Sequence, residues 1–235
     1  MFTGGVTGLA AFALLADGRF PSGGHAHSGG LEAAVRSGRV SGLSELAGFL
    51  RIRLATTGLV SAAFAAAACA HSMGARDRGT PACLEDLEAG LDARTPSPAL
   101  RLASRRQGRA LVRAARVVWP TPSLDALTSQ AGGPHYPVAL GVVSAVAGLT
   151  PDRAALLAAH HAVAGPASAA VRLLNLDPYA VHAVLARLGP ACEQTAVDAV
   201  SYLGAPVREL PAASAPLLDI GAQAHAGWEV RLFAS

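Results

Sequence analysis

Ser97-Pro98, Thr150-Pro151 and Asp177-Pro178 each place a side chain able to cap a helix directly before a proline, ahead of a long segment. The capping oxygen can accept an N–H of the first turn, and proline at the first helical position gives up a donor that has no partner there anyway. Each pair predicts a helix start, and the segments that follow are apolar at helical spacing. Alternating β-branched runs are nearly absent, and the longest, Arg116-Val117-Val118-Trp119, closes a segment of helical period. The expected fold class is all-α, one compact multi-helix bundle over residues 1–235. Its helices are predicted at 8–16, 29–37, 43–72, 83–91, 98–118, 137–148, 151–164, 166–174, 178–188 and 191–203, about ten in all. Gly148, Gly165-Pro166, Gly189-Pro190 and Gly204 read as joints, and residues 74–97 read as a loose excursion.

With 51% apolar residues, 15% charged residues and a mean hydropathy of +0.37, the chain can bury a core and is too hydrophobic to be disordered. The stretch Leu54–Ala75 carries no formal charge, but Ala, Ser and Thr partition poorly into lipid, so a buried central helix is expected there rather than a membrane span. Met1–Ala16 lacks the positive start of a signal peptide. Three scattered cysteines (Cys69, Cys83, Cys192) form no CxxC pair and suit a reducing cytoplasm.

All 19 basic residues are arginine. Without a lysine there can be no Walker A nucleotide site and no Schiff base on this chain. A net charge of +3 and 5% aromatic residues give little to hold nucleic acid. The predicted helix at 98–118 gathers Arg101, Arg105, Arg106, Arg109, Arg113 and Arg116 on one side and Leu100, Ala103, Leu111, Ala114, Ala115 and Val118 on the other, with Ser104, Gln107 and Gly108 interrupting the apolar side. Such a face either binds phosphate or an acidic partner, or is solvated and paired within the chain.

The most unusual segment is Asp17-Gly-Arg-Phe-Pro-Ser-Gly-Gly-His-Ala-His-Ser-Gly-Gly-Leu-Glu32. Four glycines around His25 and His27 imply a turn or a close contact, since that many glycines cost backbone entropy on ordering. Two histidines alone make a poor metal site, and adjacent His160 and His161 diverge on a helix, with one expected buried or capping and the other exposed. No GxSxG, HExxH or Cys-His signature is present. The residues by themselves therefore leave a small metal-binding helical protein or a phosphate-binding module open.

In order and spacing the chain resembles the urease accessory protein F family. The N-terminal signature is matched by Asp17, Phe20-Pro21, Gly23 and His27-Ser28-Gly29-Gly30-Leu31-Glu32. A Ser-x-x-x-Gly helix corresponds to Ser104–Gly108, and His135–Gly141, Ala170–Leu176, Ser214–Ile220 and Arg231–Ser235 follow. Relatives usually carry Phe or Tyr where this chain has His25, and a His-Glu pair where it has His225-Ala226.

The resemblance implies a non-catalytic helical homodimer that binds the accessory proteins D (or H) and G, and through them urease apoprotein. Nickel and GTP would be handled by those partners, with no cofactor on this chain, no nucleic acid and no membrane involved. It also points to a partner surface built from Phe20, Pro21, Gly23, His25, His27, Ser28 and Glu32 together with Arg231 and Phe233 of a partner-binding tail at about 211–235. Trp228 and Phe233 would expose apolar area on a free tail, so the tail should dock, either on its own bundle or on protein D.

Overall fold

The three proline-led starts are all real, but their caps differ. Ser97 Oγ accepts the N–H of Leu100 at 3.3 Å, and the Asp177 carboxylate accepts those of Tyr179 at 3.2 Å and Ala180 at 3.1 Å. Thr150 has the extended backbone of a cap and makes no such bond, so Pro151 alone marks that start. The computed structural model describes residues 6–74, 83–128 and 132–233, the side chain of His25 excepted. Of the described residues 73% are helical, and none of them lies in a strand.

In chain order the α-helices are α1 (Gly8–Ala16), α2 (Leu31–Arg36), α3 (Leu43–Arg53), α4 (Leu59–Ser72), α5 (Leu84–Arg94), α6 (Pro98–Val118), α7 (Pro122–Thr128), α8 (Tyr136–Val146), α9 (Pro151–Leu173), α10 (Pro178–Val200) and α11 (Pro216–Ala226). A π-helical turn at Leu54–Gly58 carries α3 into α4, so the two form one continuous rod. The all-α bundle expected from the sequence is therefore the fold.

The uncharged stretch after Leu54 is the centre of that bundle. In α4, Ala62, Ala63, Phe64, Ala65, Ala66, Ala68 and Cys69 are all buried, with α8, α9 and α10 packed around them. Small side chains let the helix axes come close. At Gly141 of α8 a β-carbon would overlap the Ala65 carbonyl and lie 2.7 Å from the Ala68 β-carbon, so only glycine fits this crossing.

Several joints differ from expectation. Gly165-Pro166 and Gly189-Pro190 do not break their helices: α9 and α10 run straight through them. A proline inside a helix orphans the carbonyl four residues earlier. For Pro166 that carbonyl belongs to Ala162, and Arg53 Nε donates to it at 2.9 Å. For Pro190 it belongs to Ala186, an exposed residue. Within the excursion the helix predicted at 83–91 is present as α5, running on to Arg94, with Cys83 Sγ accepting from Asp86 N at its start. The helices α7 and α11 were not anticipated, and α10 ends at Val200 rather than at 203.

Candidate partner surface

The glycine-rich loop leaves α1 at Asp17 and turns inward at once. Phe20 is 5% exposed and packs against Trp119, whose indole N–H donates to the Val6 carbonyl at 2.6 Å. Pro21 is exposed, and Gly23, at φ 76°, opens a single 3-10 turn over Gly24–Ala26. The expectations placed on the His25 side chain lie outside the described residues. His27 is half-buried, and Ser28 is fully buried with its Oγ accepting the Glu32 N–H at 3.2 Å.

Glu32, in the first turn of α2, is the junction between the two ends of the chain. Its carboxylate accepts the N–H of Leu232 at 2.9 Å and of Phe233 at 3.1 Å, and lies 2.8 Å from His225 Nε2. Burial alone would raise its pKa, but the Leu232 amide, His225 and the Phe233 amide outweigh that and hold it below the usual carboxylate range. One turn further along α2, Arg36 lies over the Trp228 ring at 4.2 Å, and that ring also packs on His225 at 4.8 Å between centroids. The structure thus joins the loop to the C-terminal segment and docks the tail on its own bundle. Phe233 is buried there, while Arg231 is exposed.

Of the candidate residues, Phe20, Ser28, Glu32 and Phe233 are buried, Gly23 and His27 are half-buried, and Pro21 and Arg231 are exposed. His225, Trp228, Arg36 and Arg53 were not singled out as site residues. His225 finds its carboxylate in Glu32, 193 residues away, a pairing that no local spacing can reveal.

The arginine face of α6 is largely tied up inside the chain. Arg105 pairs with Glu88 at 3.0 Å and Asp92 at 2.8 Å, Arg116 pairs with Asp125 at 2.7 Å, Arg101 donates to the Thr95 and Pro96 carbonyls, and Arg109 donates to the Gly132 carbonyl. Behind Arg105 lies buried His135. Its backbone N–H donates to Glu88 at 2.9 Å, its Nε2 faces Asp92 at 2.9 Å and its Nδ1 faces Ser104 Oγ at 3.0 Å. Burial pushes the His135 pKa down, which keeps the ring neutral at neutral pH; with Nε2–H donating to Asp92, Nδ1 is then the acceptor of the Ser104 hydroxyl, whose oxygen also accepts the Tyr136 N–H at 3.1 Å. At Gly108 a β-carbon would overlap the Pro134 carbonyl, which is why glycine stands four residues after Ser104.

Of the pair expected to hold one buried or capping histidine and one exposed, His161 fills the first role, while His160 is half-buried rather than exposed. His161 Nε2–H donates to the Leu15 carbonyl at 3.1 Å and its Nδ1 accepts the Tyr136 hydroxyl at 2.7 Å. Among the described residues, no three His, Cys, Asp or Glu side chains are grouped to hold a metal ion.

The family model for UreF matches residues 40–189. The urease accessory protein UreF of Mycolicibacterium vanbaalenii is 47% identical over 98% of this chain and all of its own length. Those of Mycobacterium marinum and Mycobacterium tuberculosis are 46% and 44% identical over 98% and 94% of this chain, covering 100% and 95% of their own. The chain belongs to the UreF family. The UreF family match spans α4, α8 and α9, while the glycine loop and the C-terminal segment lie on either side of it in sequence and meet at Glu32 in space.

Proposed function

We propose that this chain is a non-catalytic assembly factor for urease. As a cytoplasmic homodimer it bridges the accessory proteins D (or H) and G in the complex that drives GTP-dependent nickel insertion into urease apoprotein. The observation that carries this reading is its likeness to UreF accessory proteins at 44–47% identity over nearly the whole chain. Nickel and GTP are held by the partners, in keeping with a chain that has no lysine for a Walker A site. It acts by presenting surfaces, and the loop and tail that meet around Glu32 form the surface offered to D and G.

The test is co-purification of the full chain with D and G, alongside nickel binding by the chain alone and urease activation in cells lacking it. Retention of both partners, restored activity and no tight nickel uptake are expected. Capture of neither partner, or tight nickel uptake by the isolated chain, overturns the reading. A single 23.6 kDa species in sedimentation at micromolar concentration would remove the homodimer.

A further inference from the structure

The C-terminal arm, residues 215–233, rests on the bundle through little apolar area. In α11 only Gly221, Ala222 and His225 are buried, while Leu217 and Ile220 are 59% and 65% exposed, and Val230 and Leu232 beyond it are 77% and 69% exposed. Apart from Phe233, which is buried in the core that includes Leu31, the arm is fixed by polar anchors. At one end Asp219 and Gln223 accept from the backbone and hydroxyl of Ser97, at 3.1 and 3.0 Å. At the other end everything converges on α2. Gly30, at φ 89°, sits so close to Leu218 that a β-carbon would come within 2.9 Å of it, Ala33 faces Gly221, Arg36 covers Trp228, and Glu32 takes the last two described amides.

We propose that Glu32 is the positioning residue of this arm: by accepting the amides of Leu232 and Phe233 and holding His225, its carboxylate fixes the backbone on which Arg231 is carried, and it does so without touching a partner. The two gripped amides immediately follow Arg231, so their anchorage sets the direction in which the guanidinium leaves the surface. A carboxylate suits this task because it only accepts, and three donors converge on it. Glutamine has the same length but would turn an NH2 group toward at least one of those donors. With its side chain 9% exposed, Glu32 has little surface to offer a partner directly.

That a wrongly placed arm loses partners rests on the function proposed above; the positioning itself does not, and two readouts separate them. In the full chain, Glu32→Gln should raise the hydrogen-exchange rate of peptides covering 222–233 by about tenfold or more while peptides from α4, α8 and α9 are unchanged. Trp228 emission should shift to the red, separable from Trp119, which stays in the core at 5% exposure. Glu32→Asp, which keeps an accepting carboxylate, should restore part of both signals. Leu232→Pro removes one donor and leaves Glu32 in place, so it reads the same lock from the other side should Glu32→Gln fail to fold. Unchanged exchange and emission in these variants overturn the inference, as does a loss of D and G capture by Glu32→Gln with the arm still protected, since Glu32 would then be a contact residue. Faster exchange with undiminished capture upholds the lock and instead removes the arm from the proposed partner surface.

Discussion

Arg53 donates its Nε–H to the carbonyl of Ala162, the acceptor that Pro166 leaves without its helical partner. The same guanidinium reaches the Gly29 carbonyl through Nη1 at 2.8 Å, so a single arginine completes a helix and anchors the glycine loop. Burial pushes its pKa down to about 10, which still leaves it charged at neutral pH. Arg53→Met should cost about 3 kcal/mol in urea unfolding, because two enclosed carbonyls lose their donors. In a Pro166→Ala background the amide of residue 166 can take the Ala162 carbonyl, and the cost of Arg53→Met should fall by roughly 1 kcal/mol. Equal costs in both backgrounds would mean that the arginine is not compensating for the proline.

This pairing also shows where sequence reasoning stops. The motif Gly165-Pro166 reads as a joint because a proline inside a helix ordinarily costs about 3 kcal/mol. The compensating donor, on α3, is more than a hundred residues away. The helix at Pro216 was missed for the opposite reason: it has the proline of the other starts, but Ala215 before it offers no capping oxygen. Caps, periodicity and the uncharged run after Leu54 are local and were legible. The candidate site was half legible. The loop and the tail stand out in sequence, but that Glu32 serves the interior, and that His225 is its partner, follow only from the packing of α2 against α11.

Glycine substitutions should separate crowded positions from open ones. Gly108→Ala and Gly141→Ala each drive a β-carbon into a backbone carbonyl, of Pro134 and Ala65 respectively, that cannot move without shifting an element. Each should destabilise the fold by about 2–4 kcal/mol. Gly48, inside α3, has nothing within 4 Å of its would-be β-carbon, so Gly48→Ala should be neutral or stabilising by up to about 1 kcal/mol through helix propensity. Thermal melts of the three variants would check this, and a similar loss in all three would refute the steric account.

Acid should weaken the fold through its buried histidines, with Glu88, whose pKa burial raises, pulling the other way. Burial, then His160, pushes the His161 pKa from its ordinary 6.5 down to about 4, and the ring is already committed as donor to Leu15 and acceptor from Tyr136. Between pH 6.5 and 4 the unfolded chain takes up a proton that the folded chain refuses, so stability is full above 6.5 and falls as pH drops through that window. The slope for one such group approaches about 1.4 kcal/mol per pH unit. Urea midpoints measured across the window should fall, and His161→Gln should flatten the fall. A residual slope of the same sign is expected from His135 and His160, which burial also shifts downward. Below about 4.5 Glu32 adds its own loss, since a carboxyl held low contributes stability only while ionised.

Arg94 gathers the linker between α10 and α11. Its guanidinium donates to the carbonyls of Gly90, Val207, Leu210 and Pro211 at 2.8–3.0 Å and to that of Arg208 at 3.3 Å, and it lies 5.3 Å from the centre of the Phe64 ring. The planar fork explains how one residue can hold so many acceptors: its donors fan out in fixed directions, and the carbonyls of a 3-10 turn at Val207–Glu209 and the residues after it curl around them. Lysine has a compact ammonium with three donors and cannot reproduce that fan. Arg94→Ala should therefore cost about 2–3 kcal/mol, and Arg94→Lys should recover less than half of it. Because the linker leads into α11, both variants should speed hydrogen exchange over 205–215 more than over α9. If lysine restores full stability and protection, charge alone holds the linker and the fork geometry is irrelevant.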